Sequence, residues 1–132
     1  MQKKPKKILM ISYHSPPYLS ARSIQIAKCI KYLNNAGYQV DVISVGKPRF
    51  LEKGLIDKEL EKYCTSVNLN IDRVVDKTPK YVSKVFSGLI GLPYLFWYRE
   101  ALKLALKKVR SGAYDIILTC ALPFEPHLVG LG

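Results

Sequence analysis

The chain has 132 residues, enough for one domain with one real core and too few for two. Hydrophobic residues make up 48% and charged residues 23%, the balance of a folded globular protein, which excludes extensive disorder away from the ends. The formal charge of +11, from 21 basic and 10 acidic residues, favours an anionic partner (nucleic acid, anionic lipid or a phosphorylated small molecule) without choosing among them. Part of the surplus is the run Lys3, Lys4, Lys6, Lys7, which reads as a solvated lead into a strand. Cys29, Cys64 and Cys120 are far apart and form no CxxC or Cys/His ligand pattern. A reducing compartment and no structural metal are therefore expected. The apolar stretch behind the basic start, Ile8 to Ile11, is too short for a signal-peptide core, so a cytoplasmic location is expected.

Lys7–Ser12 (KILMIS) is a continuous apolar run of the kind that forms a strand buried on both faces. Tyr13 to Leu19 holds Ser15, Pro16 and Pro17 and reads as a loop, because neither proline can donate to a ladder. Ser20 is a good amino-terminal cap for a helix from Ala21 to Ala36, with Ala27, Ile30 and Leu33 as its apolar stripe and Ile26 and Cys29 beside it. Gly37 is placed to close that helix in the left-handed conformation. Gln39–Val45 (QVDVISV) is the next strand, which completes a βαβ pattern with parallel strands. Glu52 to Tyr63 reads as a short charged helix, Val67 to Ile71 as a half-buried strand near an edge, and Asp72 to Lys84 as polar and irregular. Val85 to Tyr98 is the most apolar stretch but is short for a membrane span. Pro93 suits the first turn of a helix running to about Arg110, with Tyr98, Leu102, Ala105 and Val109 inward and Arg99, Lys103, Lys107 and Arg110 outward. Gly112 ends that helix. Tyr114–Cys120 follows as a third buried strand, and His127 to Gly132 as the first turn of another helix.

Strand and helix alternate, so the expected class is α/β, a Rossmann-like, mostly parallel sheet with helices on both faces. Such sheets bind ligands beyond the carboxyl ends of their strands. Two loops have that address, Tyr13–Ser20 and Ala121–Pro126, both with prolines and small residues. The sequence has no GxGxxG after the first strand, no P-loop, no HExxH and no GxSxG, and two histidines cannot build a multi-histidine metal site. Ser20, Ala21, Arg22 and Ser23 open the first helix, where backbone N–H groups attract an anion; the competing reading is that Ser20 caps and Arg22 is solvated. His14 and His127 are candidates for the cleft walls, against the alternative of exposed loop and helix-start histidines. Glu125, alone in its loop, receives no acid–base role. The basic and aromatic band from Lys77 to Arg99 fits either contact with an anionic membrane surface or packing under the sheet.

The opening KILMISYHSPP, the Ser20–Ser23 helix start, Ala27 to Leu33 and AGYQVDVIS ending at Ser44 together resemble the start of glycosyltransferase family 4. Trp97 with the helix after it, YDIILT from Tyr114 to Thr119, Pro123, and HLVGL from His127 to Leu131 are similar to that family's later progression. The likeness covers both ends of the chain well and Pro48 to Lys84 poorly.

The resemblance implies the amino-terminal, acceptor-side domain of a two-domain GT-B fold, in metal-independent enzymes that retain the donor's anomeric configuration. In that family the first loop often approaches the donor diphosphate with a Gly-Gly pair; here Ser20 and Ala21 stand in its place. The candidate substrate-binding residues are His14, Ser20, Ala21, Arg22, Pro123 and His127. The acidic or histidine residue beside the reacting sugar, and the donor domain, are expected beyond Gly132, so the chain alone is expected to be inactive. The implied partners are a nucleotide-sugar donor and a sugar or lipid-linked acceptor in polysaccharide or glycolipid synthesis, with no cofactor and no nucleic acid. Self-association and peripheral contact with the inner face of a membrane are further expectations. The rival is a non-catalytic Rossmann-like interaction module.

Overall fold

The computed structural model describes residues 4–18, 20–45, 56–67, 69–75, 79–90 and 95–120. Its elements in chain order are β1 (Lys7–Ile11), α1 (Ala21–Asn35), β2 (Gln39–Val45), α2 (Lys58–Ser66), β3 (Asn70–Val74), α3 (Lys80–Ile90), α4 (Leu95–Arg110) and β4 (Ile116–Thr119). The four strands form one parallel sheet in the order β3-β2-β1-β4.

Alternation along β1 and β2 divides the core into two halves. Ile8, Met10, Val40 and Val42 point to one face, where Ile26 and Ile30 of α1 cover them. Leu9, Ile11, Ile43 and Val45 point to the other, under Trp97, Ala101 and Ala105 of α4, with Tyr13 in the same cluster. The α/β class with a helix on each face is thus the observed architecture. Small residues at 101 and 105 let the helix approach the sheet closely, while the Trp97 indole, fully buried, fills the space above the strand ends. Among the described residues its Nε1 has no hydrogen-bond partner, which opposes its burial.

The helix ends follow local chemistry. The Ser20 hydroxyl accepts from Ser23 N at 3.0 Å to cap α1, and Asp57 Oδ1 accepts from Glu59 N at 2.9 Å and Leu60 N at 3.3 Å to cap α2. Gly37 at φ 90° and Gly112 at φ 68° close α1 and α4 in the left-handed region, where any side chain would be strained.

Several sequence expectations shift. The strand expected at Val67–Ile71 is β3 at Asn70–Val74, three residues on, because a parallel partner in register with Asp41–Val45 uses Asn70 to Val74. Asp72 to Lys84, read as irregular, contains the end of β3 and the start of α3. The helix expected at 52–63 is α2, Lys58–Ser66, started by the Asp57 cap; residues 52–55 lie outside the described set. The strand expected to be buried near 114–120 is instead half-exposed: Ile116 and Ile117 are each 41% exposed, and among the described residues β4 ends the sheet order and pairs only with β1. The inward stripe of α4 centres on Trp97, Ala101 and Ala105, with Tyr98 and Leu102 at its border and Val109 exposed. Among the described residues no helix is long and apolar enough to cross a membrane.

Polar contacts fasten the sheet to α4 and to the turn before β4. Tyr114 donates to Asp41 Oδ2 at 2.6 Å, Lys108 pairs with Asp72 at 2.5 Å, and Lys7 N donates to Asp115 Oδ2 at 2.8 Å. Burial opposes the charge on Lys108, but Asp72 and Tyr114 outweigh it and raise its pKa above the ordinary 10.5. Burial, with the Asp41 hydrogen bond, raises Tyr114 above its ordinary 10.0. In both cases the folded state holds its proton longer than the unfolded chain does. The associated stability is therefore complete below pH 10 and is lost as pH rises through the folded pKa values. Urea titrations from neutral to alkaline pH are expected to show stability falling above pH 10, with a shallower fall in Tyr114→Phe.

Candidate functional site

The strand order reverses at β1. From β1 the chain passes through α1 to β2 and β3 on one side, then through α3 and α4 to β4 on the other side. This makes the carboxyl end of β1 a topological switch point, the place where open α/β sheets take their ligands. The β1–α1 loop and the amino terminus of α1 stand at this address, beside Cys120 at the end of β4, whose backbone N–H donates to Ile11 O at 3.0 Å.

The loop is held by contacts rather than left open. Tyr13 is core, 1% exposed, and meets Trp97 edge-on with ring centroids 5.3 Å apart. Ser15 and Pro16 are also fully buried. Tyr13 O accepts from Ser44 Oγ at 2.9 Å and from Val45 N at 3.2 Å. His14 O accepts from Ser12 Oγ at 2.6 Å, and Pro17 O from Asp57 N at 2.8 Å. The Pro16–Pro17 peptide is cis.

The remaining anchor is Arg73 of β3, which the sequence did not single out. Its guanidinium donates to Pro16 O at 2.7 Å, Ser15 Oγ at 2.9 Å and Val45 O at 3.1 Å, and it lies 5.2 Å from the Tyr18 ring centroid. One planar fork thus ties β3, the end of β2 and the loop together. No sequence motif marks it, because its partners are 28 to 58 residues away.

Of the sequence-derived candidates, Ser20 is the cap of α1, and its hydroxyl also donates to Ser23 Oγ at 2.9 Å. Ala21 opens the helix and is exposed, leaving the backbone there accessible. Arg22 is half-buried and donates to Gln25 Oε1 at 3.1 Å. Its charge is felt both by His14 and by Cys120, so the three groups share one side of the switch point. His14 is half-buried and its Nδ1 is enclosed without a hydrogen-bond partner among the described residues. Burial first, and then the Arg22 charge, push its pKa below the ordinary 6.5. Pro123 and His127 lie outside the described residues, as does the Ala121–Pro126 loop expected to face His14.

The arrangement offers a helix amino terminus, a guanidinium and a neutral imidazole, which together suit a phosphate or a polar hydroxylated ligand. Among the described residues it offers no acid–base pair. Among the described residues no group of histidine, cysteine or acidic side chains could hold a metal ion. Cys120 is not a nucleophile at neutral pH: burial and the nearby Cys29 raise its thiol to about 11. Two concavities, of about 210 and 390 Å³, lie at the opposite, amino-terminal end of the sheet, around Lys7, Gln39 and Asp41 and around Lys6, Gly112 and Asp115. Neither is at the switch point, and their walls are the starts of strands, so we do not assign the site to them. Comparison with family models, with curated proteins and with solved structures finds no match to this chain.

Two outcomes follow from this geometry. Because folding lowers the His14 pKa, the unfolded chain takes up the proton first; stability is complete above pH 6.5 and is lost as pH falls toward the folded value. Histidine NMR titration is expected to give a midpoint below 6.5 for His14, and His14→Gln should flatten the stability–pH curve across that window. Arg73→Ala leaves the Pro16 and Val45 carbonyls short of their donor and should cost about 2–3 kcal/mol in urea unfolding. Arg73→Lys should recover only part of this, since one ammonium cannot span three acceptors.

Proposed function

We propose that the chain is the acceptor-side, amino-terminal domain of a glycosyltransferase that moves a sugar from a nucleotide-sugar donor to a sugar or lipid-linked acceptor. The observation that carries this reading is the switch point between β1 and β4, with the start of α1 and the Arg22 and His14 side chains beside it. The residue pattern that resembles family 4 supplies the reaction class. In this reading the first-turn N–H groups of α1 and the Arg22 guanidinium face the donor diphosphate, and His14, neutral at physiological pH, meets a hydroxyl. The rigid β1–α1 loop supports it, because a diphosphate cradle must keep its shape while ligands come and go. The second Rossmann-like domain brings the donor, so the chain by itself binds weakly and does not turn over.

The half-exposed Ile116 and Ile117 of β4 favour a second reading, an interaction module that takes a partner or a second copy on these side chains. One experiment separates the two. Titrating the chain with a nucleoside diphosphate should shift the amide resonances of Ser20 to Ser23, with an affinity on the order of millimolar. Arg22→Ala should abolish the shifts and leave the fold unchanged, because its side-chain bond is to surface Gln25. In a protein that also carries the donor domain, the same change should reduce transfer at least about tenfold, as loss of one charge-assisted contact implies. Shifts confined to other residues would reject the transferase site. Self-association that is lost in Ile117→Lys, without any diphosphate response, would support the interaction module.

A further inference from the structure

The helix α3 presents an apolar stripe to solvent. Tyr81, Val85 and Leu89 are 72%, 52% and 76% exposed. Spaced four residues apart, they lie within one narrow arc of the helix. Lys80 and Lys84 are exposed beside them, and Lys84 lies next to the Tyr81 edge of the arc. The helix sequence, KYVSKVFSGLI, contains no acidic residue. Val82 and Ser83 are half-buried, and α3 has no extensive packing against any other described element. Three large apolar side chains kept in water on a basic helix call for a partner that is both apolar and anionic.

We propose that α3 docks in the plane of an anionic lipid surface, with Tyr81, Val85 and Leu89 in the acyl boundary and Lys80 and Lys84 at the headgroups. At 11 residues the helix is too short to span and of the right kind to lie flat. Charge selects this occupant. A second copy would bring another +11 and another α3 without an acid to answer Lys80 and Lys84. A nucleic acid would satisfy the lysines but leave the stripe in water. An anionic bilayer accepts both halves of the surface, and Tyr81 has the amphipathic ring suited to the interface. The remaining positive charge of the chain adds long-range attraction that salt screens. This inference is independent of the sugar-transfer reading and can hold if that reading fails.

The test is sedimentation of the full chain with vesicles of phosphatidylcholine alone and with about 30% phosphatidylglycerol. Binding is expected to be at least about tenfold stronger to the anionic vesicles and to weaken several-fold as salt rises from about 0.1 to 0.5 M. Val85→Glu/Leu89→Glu should lower binding to anionic vesicles by about tenfold or more, with unchanged thermal unfolding because both side chains are exposed. Tyr81→Trp should shift its emission to the blue on anionic vesicles, against the constant signal of buried Trp97. Equal binding to both vesicle types would overturn the proposal, as would undiminished binding of the glutamate variant. So would vesicle binding with no shift in Tyr81→Trp, which would mark general adsorption through other lysines. Ultracentrifugation that finds a dimer dissolved by the glutamate variant, with no vesicle binding, would give the stripe to a second copy.

Discussion

β1 has no solvent face. Leu9, Met10 and Ile11 are each fully buried, and alternate residues of the strand enter two different cores. Burial of each such side chain contributes about 1.5–3 kcal/mol, and the backbone between them must find every hydrogen bond inside the protein. The strand therefore needs neighbours on both edges and a helix on both faces. β2 and β4 supply the edges, and α1 and α4 supply the faces. Placing β2 on one side of β1 and β4 on the other reverses the strand order there, so the demand for burial at β1 also sets the switch point.

The loop after β1 inherits its rigidity from the same arrangement. Tyr13 continues the alternation of Leu9 and Ile11 into the α4-side cluster and seats on Trp97. A segment with two adjacent prolines cannot join a ladder, so its carbonyls are answered from elsewhere: Ser44 from β2, Arg73 from β3 and Asp57 from the start of α2. Each donor comes from a different element, and together they fix the entry angle of α1. The position of the Ser20 cap and of Arg22 at the switch point is thus a property of the whole sheet.

Charge is distributed to match this division of labour. Acidic side chains of β2 and β3 engage lysine or tyrosine, as in Asp72 with Lys108 and Asp41 with Tyr114. Beyond the carboxyl end of β1, Arg22 acts on His14 and Cys120. On α3 and on the outward face of α4, lysines and arginines are exposed. The positive surplus is thus carried on surfaces and at the switch point, where an anion can reach it.

The sequence by itself determined the elements whose signals are local. The apolar run of β1, the Ser20 cap, the closing glycines Gly37 and Gly112 and the alternation of Gln39–Val45 need only neighbouring residues, and they set the α/β class and the candidate helix start. The periodicity of α4 was legible too, although its centre lies on Trp97, Ala101 and Ala105, because side-chain volume against the sheet decides which face goes in. Tertiary structure alone decided the rest. β3 takes its register from pairing with β2, and β4, at the end of the sheet order among the described residues, is half-exposed. The stripe Tyr81, Val85 and Leu89 has the composition of a core helix, and only the packing of the remaining chain leaves it in water. Arg73 became the anchor of the β1–α1 loop because its three acceptors, remote in sequence, converge only when the sheet is formed.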